Sequence, residues 1–253
     1  MKQESMSVER EKNLLLLGAT SGIGYATGLK FASKQFNLYL AARNAERLTE
    51  KAGEIDKEFH VKTEVLEFDA TDTANHMAFA KKLPVNFDVV LIAFGINGEP
   101  EESKQGGAEA EKVMKTNFIG VVSVVHALIS CGKIGKGSTV IVISSIGGER
   151  GKRYNYLYGA SKAALSFYLD GLRADLLSSG IRVLTVKPGY VDTKMLPVDR
   201  APKIITATCE TVASDIYRAY KNGRNIIYTP WYWRYLMIIF RIIPGFIFNR
   251  LNI

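Results

Sequence analysis

The chain has 253 residues, 47% of them hydrophobic and 23% charged, with a formal net charge of +8. That length is enough for one large α/β domain with a full core, and nothing in the composition calls for a second. Cys131 and Cys209 lie in separate segments without a CxxC, and the first twelve residues are polar, so free thiols, no catalytic cysteine, no signal peptide and a cytoplasmic setting are expected.

Residues 13–17 are a short apolar run that reads as a strand buried on both faces. It enters Gly18-Ala19-Thr20-Ser21-Gly22-Ile23-Gly24, and a helical pattern follows over 26–35. Strand, glycine turn and helix form the setting in which backbone can approach a dinucleotide pyrophosphate closely and a helix N-terminus faces the anion. Gly18, Thr20, Ser21, Gly22, Ile23 and Gly24 are therefore cofactor-binding candidates. A second strand over 36–42 ends at Arg43, where an acid would bind a ribose 2′-hydroxyl and an arginine accommodates a 2′-phosphate. NADP(H) is favoured on that ground, with NAD(H) as the alternative.

A helix is expected over 44–57 with Asn44 at its N-cap, then a third strand over 61–68. Asp69, followed by Ala70, either accepts from an adenine amino group or caps a helix begun at Thr71 or Asp72, and both readings stand. A fourth strand over 87–94 precedes Gly95. The helix expected over 107–130 carries Asn117 among apolar neighbours, where a buried amide must have partners, structural or next to a site.

The β-branched run 140–143 delivers Ser144 and Ser145 to a strand end, and a helix is expected over 157–178. Tyr158 and Lys162 stand at i, i+4 on one face of it; Tyr154 and Tyr156 have no lysine four residues on. An ammonium beside a phenol lowers its pKa toward the working range of a general acid or base. A sixth strand over 181–186 runs into Lys187-Pro188-Gly189, a turn at the sheet edge where ligands of open α/β sheets bind. Helix 204–220 and strand 225–228 complete an alternation that predicts a three-layer α/β fold of Rossmann type, a parallel sheet with helices on both faces. His60, His76 and His126 are scattered, so no metal site is expected.

Residues 1–230 form this domain and 231–253 a tail belonging to the same unit. After Asp215 no acidic residue occurs, while Arg218, Lys221, Arg224, Arg234, Arg241 and Arg250 accompany Trp231, Tyr232, Trp233 and Tyr235. That mixture reads as a membrane-interface surface rather than a nucleic-acid surface.

Gly18-x-x-x-Gly22-x-Gly24, Asn117, Ser145, Tyr158-x-x-x-Lys162 and Pro188-Gly189 occur in the order and spacing of the short-chain dehydrogenase/reductase family, which the chain resembles over residues 12–230. The resemblance implies a seven-stranded sheet and hydride transfer between nicotinamide and a carbonyl or alcohol carbon. By position it makes Tyr158 the proton donor, Ser145 a hydrogen-bond partner of the carbonyl oxygen, Lys162 the group that lowers the Tyr158 pKa and holds the nicotinamide ribose, and Asn117 the keeper of a water relay. Val191 and Thr193 would meet the carboxamide. Ala93-Phe94-Gly95, where most members have Asn-Ala-Gly, would border the cofactor. Homodimers or homotetramers through helices 107–130 and 157–178 are implied as well.

Within that family, residues 92–95, the loop Gly148-Glu149-Arg150-Gly151-Lys152-Arg153 and the tail with Arg234-Tyr235 resemble the decaprenylphosphoryl-2-keto-ribose reductases. Those enzymes reduce a 2-keto pentofuranose on a polyprenyl phosphate, alongside a flavin oxidase partner. On this reading Arg150, Lys152 and Arg153 hold the substrate's anion, and the tail lies at the inner membrane face with Arg234 and Arg241 toward headgroups. The alternatives are a solvated basic loop, and a tail that packs on a sister subunit or roofs the pocket. For the protein as a whole they are a reductase of another hydrophobic ketone, or a dinucleotide sensor without catalysis.

Overall fold

The computed structural model describes residues 10–99, 107–196, 203–248 and 250. Seven parallel strands form one sheet in the order β3-β2-β1-β4-β5-β6-β7: β1 Lys12–Leu17, β2 Phe36–Ala42, β3 Thr63–Glu67, β4 Val89–Ile92, β5 Thr139–Ile143, β6 Arg182–Pro188 and β7 Ile226–Thr229. Leu14 to Leu17 are fully buried, and the alternation of strand side chains sends them to opposite faces. Leu14 and Leu16 join the core with Phe31, Leu48, Ile55 and Ile216; Leu15 and Leu17 join Leu128, Leu165 and Leu169 on the other face. Each such burial contributes about 1.5–3 kcal/mol, which is why the central strands read as unbroken apolar runs.

The helices are α1 Gly22–Ala32, α2 Glu46–Phe59, α3 His76–Lys82, α4 Ala108–Met114, α5 Gly120–Ser130, α6 Tyr156–Asp175, α7 Cys209–Lys221, α8 Trp233–Ile242 and α9 Gly245–Phe248. Several starts differ from the sequence reading. Helix α1 begins inside the glycine motif because the Ser21 side chain accepts from the Gly24 N–H. Ala45 rather than Asn44 precedes α2, and its cap makes no side-chain hydrogen bond. Helix α7 begins at Cys209, where Thr208 accepts from the Thr211 N–H, and only a 3₁₀ turn, Lys203–Ile205, stands ahead of it.

The helix expected over 107–130 is interrupted by a π turn, Lys115–Ile119, with Asn117 at its middle. By length and hydropathy Ala108–Ser130 is apolar enough to cross a bilayer. Here its face carrying Val121, Val124, Val125 and Leu128 is buried against the sheet.

From β1 the chain runs outward through β2 and β3, then crosses back to β4 on the other side of β1. That reversal opens a crevice at the carboxyl ends of β1 and β4. At the far side of the same edge lies the tail. Trp233 and Met237 on α8 are buried against Ile146, with Tyr190, Ile205 and Tyr228 packed around them.

Candidate active site

The crevice begins as a backbone cradle. Gly18 has φ 91°, and a Cβ there would stand 2.6 Å from the Phe94 backbone nitrogen; at Gly24 it would stand 2.8 Å from the Ala93 Cβ. The glycine turn is therefore pressed against the end of β4, and only small residues allow it. The first turn of α1 opens onto this edge with N–H groups that have no partner within the helix. Thr20 and Gly22 are exposed and Ile23 half-buried. A Cβ at Gly22 would lie 3.5 Å from the Thr193 methyl, so the segment after β6 passes across the turn, with Val191 held in a bridge to Ala207.

Arg43 is exposed at the end of β2. Burial raises the Asp69 pKa, but hydrogen bonds from the Thr71 N–H and hydroxyl, both 2.8 Å, and the charge of Arg43 outweigh it and leave the carboxyl below its usual range. Asp69 thus braces a local turn rather than capping a helix. Ala70 is buried, its carbonyl pressed against Gly120 just after the π turn. The Phe94 ring turns into the aromatic cluster with Phe68, 5.8 Å between centroids. Small turn, helix N-terminus and strand-end arginine together fit a dinucleotide phosphate chain.

Across the crevice, Asn117 is fully buried. Its Oδ1 accepts from the Ile96 N–H at 2.8 Å, and its Nδ2 donates to the Ile96 carbonyl at 2.8 Å and to Ser161 Oγ at 3.0 Å. The π turn aims the amide at the chain leaving β4, and those partners make it a brace of the strand end. A Cβ on Gly95 would stand 3.2 Å from Asn117 Oδ1 and 3.5 Å from Lys162 Nζ, so the two side chains meet over that glycine.

Lys162 Nζ donates to the Ile143 carbonyl at 2.9 Å and lies 5.8 Å from the centre of the Tyr158 ring. Burial pushes its pKa down to about 8. Burial raises the Tyr158 pKa, and a hydrogen bond with the Ser145 side chain pulls back against that rise. The net shift is upward because desolvation outweighs the lowering expected from the ammonium. Ser145 Oγ also accepts from the Gly147 N–H at 3.0 Å, which fixes the hydroxyl at the strand end.

The sequence profile of the family described as short chain dehydrogenase matches residues 12–203. The chain belongs to the short-chain dehydrogenase family. An uncharacterised oxidoreductase of Mycobacterium tuberculosis is 31% identical over 242 residues, covering 94% of this chain and 96% of the relative. An uncharacterised oxidoreductase of Streptomyces coelicolor is 33% identical over 247 residues, covering 95% and 96%. The fold is shared with a short-chain dehydrogenase from Sphingobium yanoikuyae in complex with NADPH, at TM-score 0.78 and 22% identity over 91% of this chain and 93% of that one. The protein is thus an NAD(P)-dependent short-chain dehydrogenase/reductase.

In this dehydrogenase the basic loop after the 3₁₀ turn Ile146–Gly148 is divided. Arg150, expected to bind an anion, instead closes the tail: its Nη1 donates to the carbonyls of Phe240, Arg241 (3.3 Å) and Ile243 (2.6 Å), and its guanidinium lies 3.9 Å from the Phe248 ring centre. The C-terminal carbonyls of α8 lack helical partners, which draws the cation there. Lys152 is half-buried with its ammonium 5.7 Å from the Tyr190 ring centre, and burial pushes its pKa down. Arg153 is exposed beside Tyr154.

Arg241, expected to face headgroups beside Arg234, forms an ion pair with the buried carboxylate of Glu149. Gly189 carries the Trp233 indole where any side chain would overlap it, and Pro188 is buried ahead of it. Sequence reasoning missed Ser161, Glu149, Lys187 and Tyr228. The one signal for Glu149 was its position as the sole acid in a basic loop.

Proposed function

We propose that this enzyme uses NADPH to reduce the ketone of an anionic, lipid-linked sugar, a 2-keto pentofuranosyl polyprenyl phosphate. The reading is carried by the Ser145 hydroxyl hydrogen-bonded to a half-buried Tyr158, with Lys162 buried behind it. The bound dinucleotide supplies the hydride. Tyr158 keeps its proton at neutral pH and gives it to the carbonyl oxygen, to which Ser145 also donates. Lys162 stabilises the phenolate left behind, and Asn117 holds the strand end through Ile96 and Ser161. Arg43 receives the 2′-phosphate; Val191, Thr193 and the Pro188–Gly189 turn border the nicotinamide.

Substrate class rests on Lys152, a half-buried cation above the residue that follows Gly189, with Arg153 at the rim. The ketone would come from a flavin oxidase acting on the corresponding alcohol. Tyr235, Ile238, Ile239 and Ile242 form an exposed stripe at i, i+3, i+4 and i+7 on α8, continued by Phe246, with Arg234 exposed beside it. Such a face suits peripheral contact with the inner leaflet, where the lipid substrate resides. Phe167, 86% exposed on α6, with Phe118 and Tyr168 nearby, suits a homodimer or homotetramer.

The test is incubation of the enzyme and NADPH with lipid extract enriched in the keto sugar, followed by mass spectrometry. The expected product is heavier by two hydrogens, and Lys152→Ala raises KM for it about tenfold, as loss of one charged hydrogen bond would. Reduction only of ketones lacking phosphate would transfer the reading to another hydrophobic carbonyl substrate. Vesicle flotation with and without Ile239→Asp checks the tail: wild type that stays with the soluble fraction removes the membrane contact.

A further inference from the structure

Glu149 lies four residues beyond Ser145, immediately after the 3₁₀ turn Ile146–Gly148, and its side chain is 2% exposed. Lys187 Nζ reaches Oε1 at 2.5 Å, the Tyr228 hydroxyl donates to the same oxygen at 3.0 Å, and the Arg241 guanidinium meets Oε2. These partners come from three places. Lys187 is the residue before Pro188–Gly189 on β6, Tyr228 is on β7, and Arg241 is on α8 of the tail.

The turn that carries Glu149 has no slack on its inner side. A Cβ at Gly147 would stand 3.4 Å from the Tyr158 ring, and one at Gly148 would stand 2.7 Å from the Lys162 backbone. Its movement would therefore be felt at the phenol and at the lysine. Arg150, the next residue, grips the far end of α8 through three carbonyls. Glu149 and Arg150 together close a ring from the serine turn to the sheet edge, to the tail and back.

We propose that Glu149 is a positioning residue for catalysis: it ties the turn after Ser145 to the strand entering Pro188–Gly189 and to the tail helix, so that the placement of the Ser145 hydroxyl depends on the tail. A carboxylate removed from water needs several donors, and here they come from β6, β7 and the tail helix α8. Glu149 itself touches no reacting atom. The inference rests on the assignment of Ser145 and Tyr158 to ketone reduction, not on the lipid-linked substrate.

The test compares Glu149→Gln, Arg241→Gln and, as a stability control far from the site, Leu48→Ala in α2. Turnover is measured with any ketone the wild type reduces, dinucleotide affinity by fluorescence, and the Tyr158 titration by carbon NMR of ring-labelled tyrosine assigned with Tyr158→Phe. Glu149→Gln is expected to lower kcat about tenfold, the scale of a small misplacement, with dinucleotide affinity within about twofold. The Tyr158 titration rises, because the Ser145 hydrogen bond that opposes the rise is weakened. Arg241→Gln moves both readouts the same way by less, and Leu48→Ala lowers Tm while moving neither.

Unchanged kcat, or a lower kcat with the Tyr158 titration unmoved in both variants, overturns the proposal. Should Glu149→Gln not fold, Arg241→Gln decides alone, since the Arg241 side chain is half-exposed and its replacement leaves Lys187 and Tyr228 on the carboxylate. If wild type reduces no ketone, the functional reading fails by itself, and the Tyr158 titration still decides whether Glu149 and Arg241 set the position of Ser145.

Discussion

The two halves of the sheet's carboxyl edge are built by different means. From β1 to β4 the edge is backbone: Gly18 and Gly24 against Ala93 and Phe94, and the open first turn of α1. From β5 to β7 it is side chain: Ser145, Tyr158 and Lys162, then Glu149 with its three partners under the tail. A cofactor shared by a whole family can be held by peptide groups, given small residues where the backbone must approach closely. Proton transfer, and the choice of a substrate, need particular functional groups at particular points. Substitutions should therefore cost most in the second half and least at the rim of the first.

Tyr158→Phe tests the side-chain half most severely. Loss of the proposed proton donor is expected to lower kcat by about 10²–10⁴-fold, with dinucleotide affinity unchanged in a fluorescence titration. A variant that turns over at the wild-type rate would mean that Ser145 or solvent gives the proton, and the contrast between the halves would fail. The alkaline limb of the wild-type rate of reduction adds a second check. On the proposed mechanism the phenolate becomes costlier as Lys162 loses its charge near pH 8, so the rate should fall above that pH.

Lys162 sits at the joint between the halves and should be visible in stability as well as in rate. Its pKa falls from 10.5 in the unfolded chain to about 8 in the folded one, because burial disfavours the ammonium. Between those values the unfolded chain binds more protons, so stability rises with pH through that window, by about 3 kcal/mol in total. Below pH 8 the charged form is buried at full cost. Urea unfolding of the protein without dinucleotide should show wild type gaining on Lys162→Met from pH 8 to 10.5. Parallel curves would mean that the Ile143 carbonyl already compensates the charge.

What could be read in advance follows the same division. The seven strands were legible because buried parallel strands are uninterrupted apolar runs such as 14–17 and 140–143, and the glycine turn because close backbone approach demands small residues. The meeting of Asn117 with Lys162 over Gly95 was only half legible. A π turn adds one residue to a helical turn without changing its apolar composition, so nothing in 107–130 announces it. Arg150 and Arg241 were misread because charge in a sequence carries no direction. Both point inward, one to helix-end carbonyls and one to a buried carboxylate.

Arg43→Ala probes the rim of the backbone half, and its effect should be the smallest. The guanidinium is exposed, so the proposed pairing with a 2′-phosphate would be weakened by water and salt and should contribute about 1 kcal/mol, near fivefold in NADPH affinity. NADH affinity should not change, because NADH has no phosphate there, and the NADPH effect should shrink as salt is raised. Asp69 gives an internal control. Arg43 helps to keep its carboxyl below the usual range, so the variant's Asp69 titrates at higher pH whether or not dinucleotide is present. Equal loss of NADPH and NADH would instead mean that Arg43 shapes the cradle through Asp69, and the rim would then belong with the side-chain half.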